Sequence, residues 1–173
     1  MKFTISATEL NAKLAALAKV IGSKTAQSIY STFLLELKDG VLRITASDMD
    51  CSRCSTLPVI DMDGANGHSE SICVTASFLL DSLKNLGDQP VTFEADEENL
   101  SVVIRYNNGQ FDMVGFPAKD YVLPGTMEKN VKATIEASVL NDSIGKSLYA
   151  VGNDDLRPIF CGIYFTKKGD ELQ

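Results

Sequence analysis

Residues 5–11 read ISATELN, and nearly the same phrase returns as VTASFLL at 74–80 and as IEASVLN at 135–141. Each copy runs aliphatic, any residue, Ala, Thr or Ser, any residue, Leu. The recurrence decides the fold, because a repeat defines the unit from which a chain is built. The first 43 residues align without a gap against the last 43, from Met1 beside Val131 to Arg43 beside Gln173. Ten positions are identical: Lys2, Thr4, Ile5, Ala7, Leu10, Asn11, Gly22, Ile29, Lys38 and Leu42 with their counterparts. The middle copy lies 69 residues after the first and 61 before the last. Such periods exceed those of thin solenoids, so each copy is a larger unit.

In the first copy, Phe3 and Ile5 alternate with polar residues as in a half-buried strand. Thr8 is the expected N-cap of a helix, with Glu9 in the first turn where the helix dipole favours it. Leu10, Leu14, Leu17 and Ile21 form one apolar stripe, and Gly22 is placed to end the helix. FLLELKDGVLRITASDMD then predicts two strands joined at Asp39-Gly40, and CSRCSTLPVI a further strand. The second copy repeats the scheme. Ile72 and Val74 mark the strand, Ser77 the cap, and Leu79, Leu83 and Leu86 the stripe, which ends near Gly87; strands with turns near 97–99 and 107–109 follow. In the third copy Ser138 is the expected cap and Leu140, Ile144 and Val151 the stripe. Two such units can join their apolar faces into one core. The expected fold is therefore α+β and mostly antiparallel. Residues 1–128 make one domain of two β-α-β-β-β units, 1–68 and 69–128. PAKDYVLPGTMEKN at 117–130 reads as a linker. Residues 129–173 begin a second domain whose partner unit is missing, as in a piece of a longer protein.

A hydrophobic content of 45% with 23% charged residues is that of a globular chain. No apolar run is long enough to span a membrane, and MKFTISATEL lacks the apolar core of a signal peptide, so a cytoplasmic location is expected. The net charge of −7 argues against dense phosphate neutralisation, though not against a protein that surrounds nucleic acid. The four cysteines are expected to be reduced. CSRC is followed by a strand pattern, which points Cys51 and Cys54 to opposite faces, and the one histidine, His68, lies in a Gly/Asn-rich loop. No metal or cofactor is expected. SDMDCS offers an alternative, a small Mg²⁺-dependent phosphatase or phosphotransferase using Asp48 and Asp50. The downstream Ser or Thr and the parallel sheet that such enzymes use are not evident. DMDGANG opens like a calcium loop, but its twelfth position is Ile72 in place of Glu, so a polar turn is expected.

The segments MKFTIS, LLELKDGVLRITASDMD, VTASFLLDSLKNL, FDMVGFPAKDYVLP and DLRPIFCGIYF, in that order along the whole chain, resemble the bacterial sliding-clamp family, the beta subunit of DNA polymerase III. The resemblance implies a DNA-clamp fold, with two units per domain, three domains per chain, helices inside and sheets outside. It implies a head-to-tail homodimer that closes into a ring around double-stranded DNA. The protein would be a non-catalytic processivity subunit of a DNA-directed DNA polymerase. It would tether the polymerase III catalytic subunit, the clamp loader and other clamp-binding proteins through short peptides. Lys24, after the first helix, is then the expected DNA contact. Asn153 lies in the matching loop of the third copy, beside an Asp154 that would repel phosphate. The helix faces opposite the apolar stripes add Lys13, Lys19, Lys84 and Lys146 as DNA-facing candidates, with Glu9, Asp81 and Asp142 toward the helix starts. Arg157, a fixed donor fork, and Phe160, an apolar wall, match the pocket that receives client peptides. Leu86, Phe111 and Met113 match the ring interface. Asn108 and Gln110 stand where the family often has arginines, and Ser28 where it usually has proline, which the third copy keeps as Pro158.

Overall fold

A computed structural model describes residues 1–22, 28–48, 51–63, 69–125, 134–154, 156–169 and 171–173. The chain divides into two compact units, Met1–Thr126 and Met127–Gln173.

The first unit holds β1 (Lys2–Ser6), α1 (Ala7–Leu17), β2 (Thr32–Lys38), β3 (Val41–Ser47), β4 (Ser52–Pro58) and β5 (Asp61–Asp63). The same series then recurs as β6 (Glu70–Thr75), α2 (Ala76–Lys84), β7 (Pro90–Ala95), β8 (Ser101–Tyr106), β9 (Gly109–Val114) and β10 (Phe116–Pro117). The strands form two five-stranded antiparallel sheets, ordered β5-β1-β7-β8-β9 and β10-β6-β2-β3-β4. Replacing each strand by its counterpart in the other copy turns one order into the other, so the unit has internal two-fold pseudosymmetry.

The two copies do share one core, and they are joined more closely than apolar faces alone require. The opening strand of each copy lies in the sheet of the other: β1 pairs with β7, and β6 with β2. Hydrophobic periodicity reports which face of a strand is buried and is silent about its neighbour. Phe3 and Phe93 are register partners across that exchange, their rings stacked 5.1 Å apart. They share one core with Ile5, Leu10, Leu14, Leu17, Leu35, Ile44, Ile72, Leu79 and Leu83. Both expected stripes are buried, except that Ile21 and Leu86 lie at its margin.

The N-cap of each helix lies two residues before the expected one. Ser6 is the N-cap of α1, its Oγ accepting from the Glu9 backbone N–H at 3.3 Å. Thr75 and Glu136 hold the same place in the later copies. Thr8, Ser77 and Ser138 therefore lie inside the first turn. Thr8 Oγ1 instead donates to the Gly87 carbonyl at 3.3 Å, so the start of α1 abuts the end of α2. The β2–β3 turn has Asp39 and Gly40 both at positive φ (49° and 77°), the two-residue geometry that matches strand twist. DMDGANG is not simply a polar turn: Asp61–Asp63 form the edge strand β5 against β1. The first part of the expected linker also belongs to the first unit, since Phe116–Pro117 pair with β6 and Tyr121 is buried.

The second unit contains α3 (Ala137–Ser147) and a two-stranded hairpin of β11 (Lys167–Lys168) and β12 (Glu171–Leu172). Lys168 faces Glu171 as Lys38 faces Val41, so the copy keeps the register of the first. None of the α3 residues is buried; Leu140 and Ile144 are half-buried along a groove edged by Ile135, Ile163 and Phe165, and Val151, beyond the helix, is half-buried too. Among the described residues, no helix is long and apolar enough to cross a membrane.

Candidate nucleic-acid interface

The stripe that buries Leu10, Leu14 and Leu17 turns the opposite side of α1 outward, and α2 does the same through Leu79 and Leu83. Lys13 is exposed on α1, Lys19 on the 3₁₀ turn Ala18–Val20 that continues it, and Lys84 at the last position of α2. Exposed acids on the same elements are Glu9 and Asp81. Three cations against two anions make these helices the less acidic part of a chain with 16 basic and 23 acidic residues. The lysines do not form one cluster. Lys84 lies at the α2 end, which meets the start of α1, whereas Lys19 lies past the opposite end of α1. Spaced ammonium groups of this kind make weak, salt-screened phosphate contacts, with no fixed grip on any base. In the second unit, Lys146 is exposed in the last turn of α3 and Asn153 is exposed in the segment after it. Lys24 lies outside the described residues.

A second surface surrounds β9, an edge strand of the first sheet. Phe111 and Met113 face Ile104 and Val102 in register and, with Leu86, cover the core margin half-buried. Phe111 stacks on Tyr106 at 5.0 Å. Tyr106 escaped the sequence reading; its signal is an aromatic pair flanking the Asn107-Asn108 turn. The outward face of β9 is polar up to the exposed Val114: Gln110 Nε2 donates to both Asp112 carboxylate oxygens at 3.0 Å, and Arg105 reaches Glu94 and Gln110. A half-covered apolar margin beside an open strand edge is the usual chemistry of a protein interface.

Arg157 and Phe160 are brought together in the second unit. Arg157 precedes the 3₁₀ turn Pro158–Cys161, pairs with Asp154 at 2.8 Å, and holds its guanidinium 5.8 Å from the centre of the Phe160 ring, which is 61% exposed. Asp154 thus acts as an anchor for Arg157.

The rival constellations gain nothing from the geometry. Asp48 Oδ1 accepts from the Cys51 backbone N–H at 2.8 Å and so closes the β3–β4 turn, in a sheet that is antiparallel throughout; Asp50 lies outside the described residues. Cys51 and Cys54 are exposed free thiols, and Cys54 is on β4 opposite Thr45. His68 lies outside the described residues.

Comparison with known proteins settles the family. Residues 1–124 match the model of the DNA polymerase III beta subunit, N-terminal domain. The chain belongs to the DNA polymerase III beta subunit family. It is 27% identical over 175 residues to the beta sliding clamp of Bacillus subtilis, spanning 99% of this chain and 46% of that protein. It is 25% identical over 176 residues to the beta sliding clamp of Vibrio cholerae, again with 46% of that protein covered. The chain thus spans a little under half the length of these curated relatives. The crystal structure of the Pseudomonas aeruginosa DNA polymerase III subunit beta shares the fold, with a TM-score of 0.86 at 22% identity over 98% of this chain and 44% of that one. The Helicobacter pylori beta clamp, solved bound to a DNA ligase peptide, does so with a TM-score of 0.78 at 23% identity over 89% of this chain and 41% of that one.

Proposed function

We propose that this chain is the first domain and the beginning of the second domain of a DNA sliding clamp. Residues 1–128 serve as one clamp domain and 129–173 as part of the next. The observation that carries this reading is the pseudo-two-fold unit itself, with its exchanged opening strands and two adjoining helices that present Lys13 and Lys84 outward, with Lys19 on the turn that continues the first, in a chain that belongs to the beta subunit family. The ring encircles duplex DNA without reading sequence, and Lys146, Asn153 and Lys24 add to its inner surface. Holding power comes from closure of the ring, which reconciles DNA work with a net charge of −7. The protein is non-catalytic and works in the cytoplasm. Leu86, Phe111 and Met113 form part of the seam between two copies. Arg157 and Phe160 form one wall of the pocket for short client peptides, among them those of the polymerase catalytic subunit and clamp loader; the peptide-bound Helicobacter pylori clamp supports that mode of docking.

The test is primer extension on a long circular template. A full-length clamp carrying these residues, loaded on the DNA, is expected to lengthen the product made per polymerase binding event at least tenfold. Unchanged product length with a competent polymerase and loader would contradict the proposal.

A further inference from the structure

The second sheet buries residues on both faces. Leu35, Ile44 and Ile72 enter the main core, and alternation along the strands turns Leu34 and Cys73 to the opposite face. Those two are nevertheless buried, in a satellite cluster closed by Tyr30 and Tyr121 with Ile29 and Ala118 beside them. Tyr121 arrives there on the segment after β9. Gly115 passes so close to β6 that a Cβ would lie 2.8 Å from Ile72 Cδ1 and 2.9 Å from the Cys73 carbonyl oxygen. Phe116 and Pro117 then pair with Cys73 and Ile72, and a 3₁₀ turn, Ala118–Asp120, delivers Tyr121 edge-on to Tyr30 with ring centres 5.6 Å apart. Tyr30 Oη donates to the Val122 carbonyl at 2.9 Å. Val122 and Leu123 are themselves exposed.

We propose that residues 116–122 are a strap that opens as a unit without unfolding the domain, with Tyr30 and Tyr121 as its clasp and Cys73 as the thiol it covers. The strap is held by a two-residue edge pairing, the Tyr30 hydroxyl bond and the burial of Tyr121 and Ala118 in the satellite cluster, all outside the main core. Segments held by so few contacts open at a fraction of the global free energy. Opening has two consequences. It frees up to about 25 Å of extended chain at the end of the first unit, since each residue spans roughly 3.3–3.6 Å. It also exposes Cys73, the buried one of four free cysteines, whose thiol burial holds at a pKa of about 12 and so keeps unreactive. The third copy carries Phe160 where the first has Tyr30, and that ring is 61% exposed, so the closed clasp belongs to the first copy alone among the two. The strap does not depend on the clamp function.

The experiment uses the 173-residue chain with Cys51→Ser, Cys54→Ser and Cys161→Ser, leaving Cys73 as its one thiol. Modification by an aromatic disulfide reagent is followed against urea concentration, with global unfolding measured in parallel by circular dichroism. The strap predicts a labelling rate nearly independent of urea below the unfolding transition. Tyr30→Phe, which removes only the clasp hydroxyl, should raise that rate about fivefold while leaving it nearly independent of urea, global stability falling by no more than the same factor. Gly115→Ala, which pushes the strap off β6, should raise it more than tenfold. If labelling instead follows global unfolding in slope and rate, in the parent and in Tyr30→Phe alike, the strap does not open separately and the proposal fails.

Discussion

Replacing Phe93 by alanine should lower the stability of the first unit by about 3–5 kcal/mol, the range for removing a fully buried aromatic ring. The size follows from where the ring sits. Phe93 is 1% exposed on β7, a strand of the second copy, and stacks on Phe3 of β1, a strand of the first. The pair therefore joins the copies at the point of strand exchange, and the space left could be closed only by moving a strand with five register pairs. Urea denaturation should show a lower midpoint with an unchanged slope, because the surface exposed on unfolding stays the same. A loss below about 1 kcal/mol would mean that the two copies are not locked through this contact, since even a single missing methyl group in a core costs about that much.

Phe111→Asp should act on assembly more than on folding. Phe111 is only half-buried within the unit, so the carboxylate can stay hydrated in the isolated chain. In a closed seam it would be dehydrated beside Met113 and Leu86 with no cation supplied by Asn108 or Gln110. An unpaired charge at the centre of an interface costs several kcal/mol. At 1.4 kcal/mol for each tenfold change, the dimer of a full-length clamp should weaken at least about a hundredfold. Sedimentation equilibrium measures this directly. A dimer of undiminished affinity would remove β9 from the seam.

Much of the fold was legible in the residues because it depends on local pattern. The stripes of α1 and α2, the Asp39-Gly40 turn and the three-fold return of the strand-to-helix junction each follow from side-chain spacing and backbone preference. Spacing does not carry the identity of a neighbour. β1 reads as a half-buried strand whichever sheet it joins, and its partner β7 lies some ninety residues away. The caps were misplaced because Thr8, Ser77 and Ser138 have good capping side chains, whereas the strand runs on without a loop and the helix begins at the alanine before them. Tyr121 was hidden by its setting: prolines and a glycine nearby read as linker, and only the structure shows the ring seated between Tyr30 and Cys73. Of the candidate site, exposure of Lys13, Lys19, Lys84 and Lys146 was legible from the helical wheel, but the separation of Lys84 from Lys19 along the α1–α2 pair was not.

Closure of a ring around DNA is the central claim, and topology tests it without reference to affinity. A labelled full-length clamp carrying these residues is loaded on nicked circular DNA, and free protein is removed at a salt concentration that dissolves phosphate contacts. The clamp should remain on the circle for many minutes and leave within seconds once a restriction enzyme cuts it. Equal loss from intact and cut circles would contradict the account.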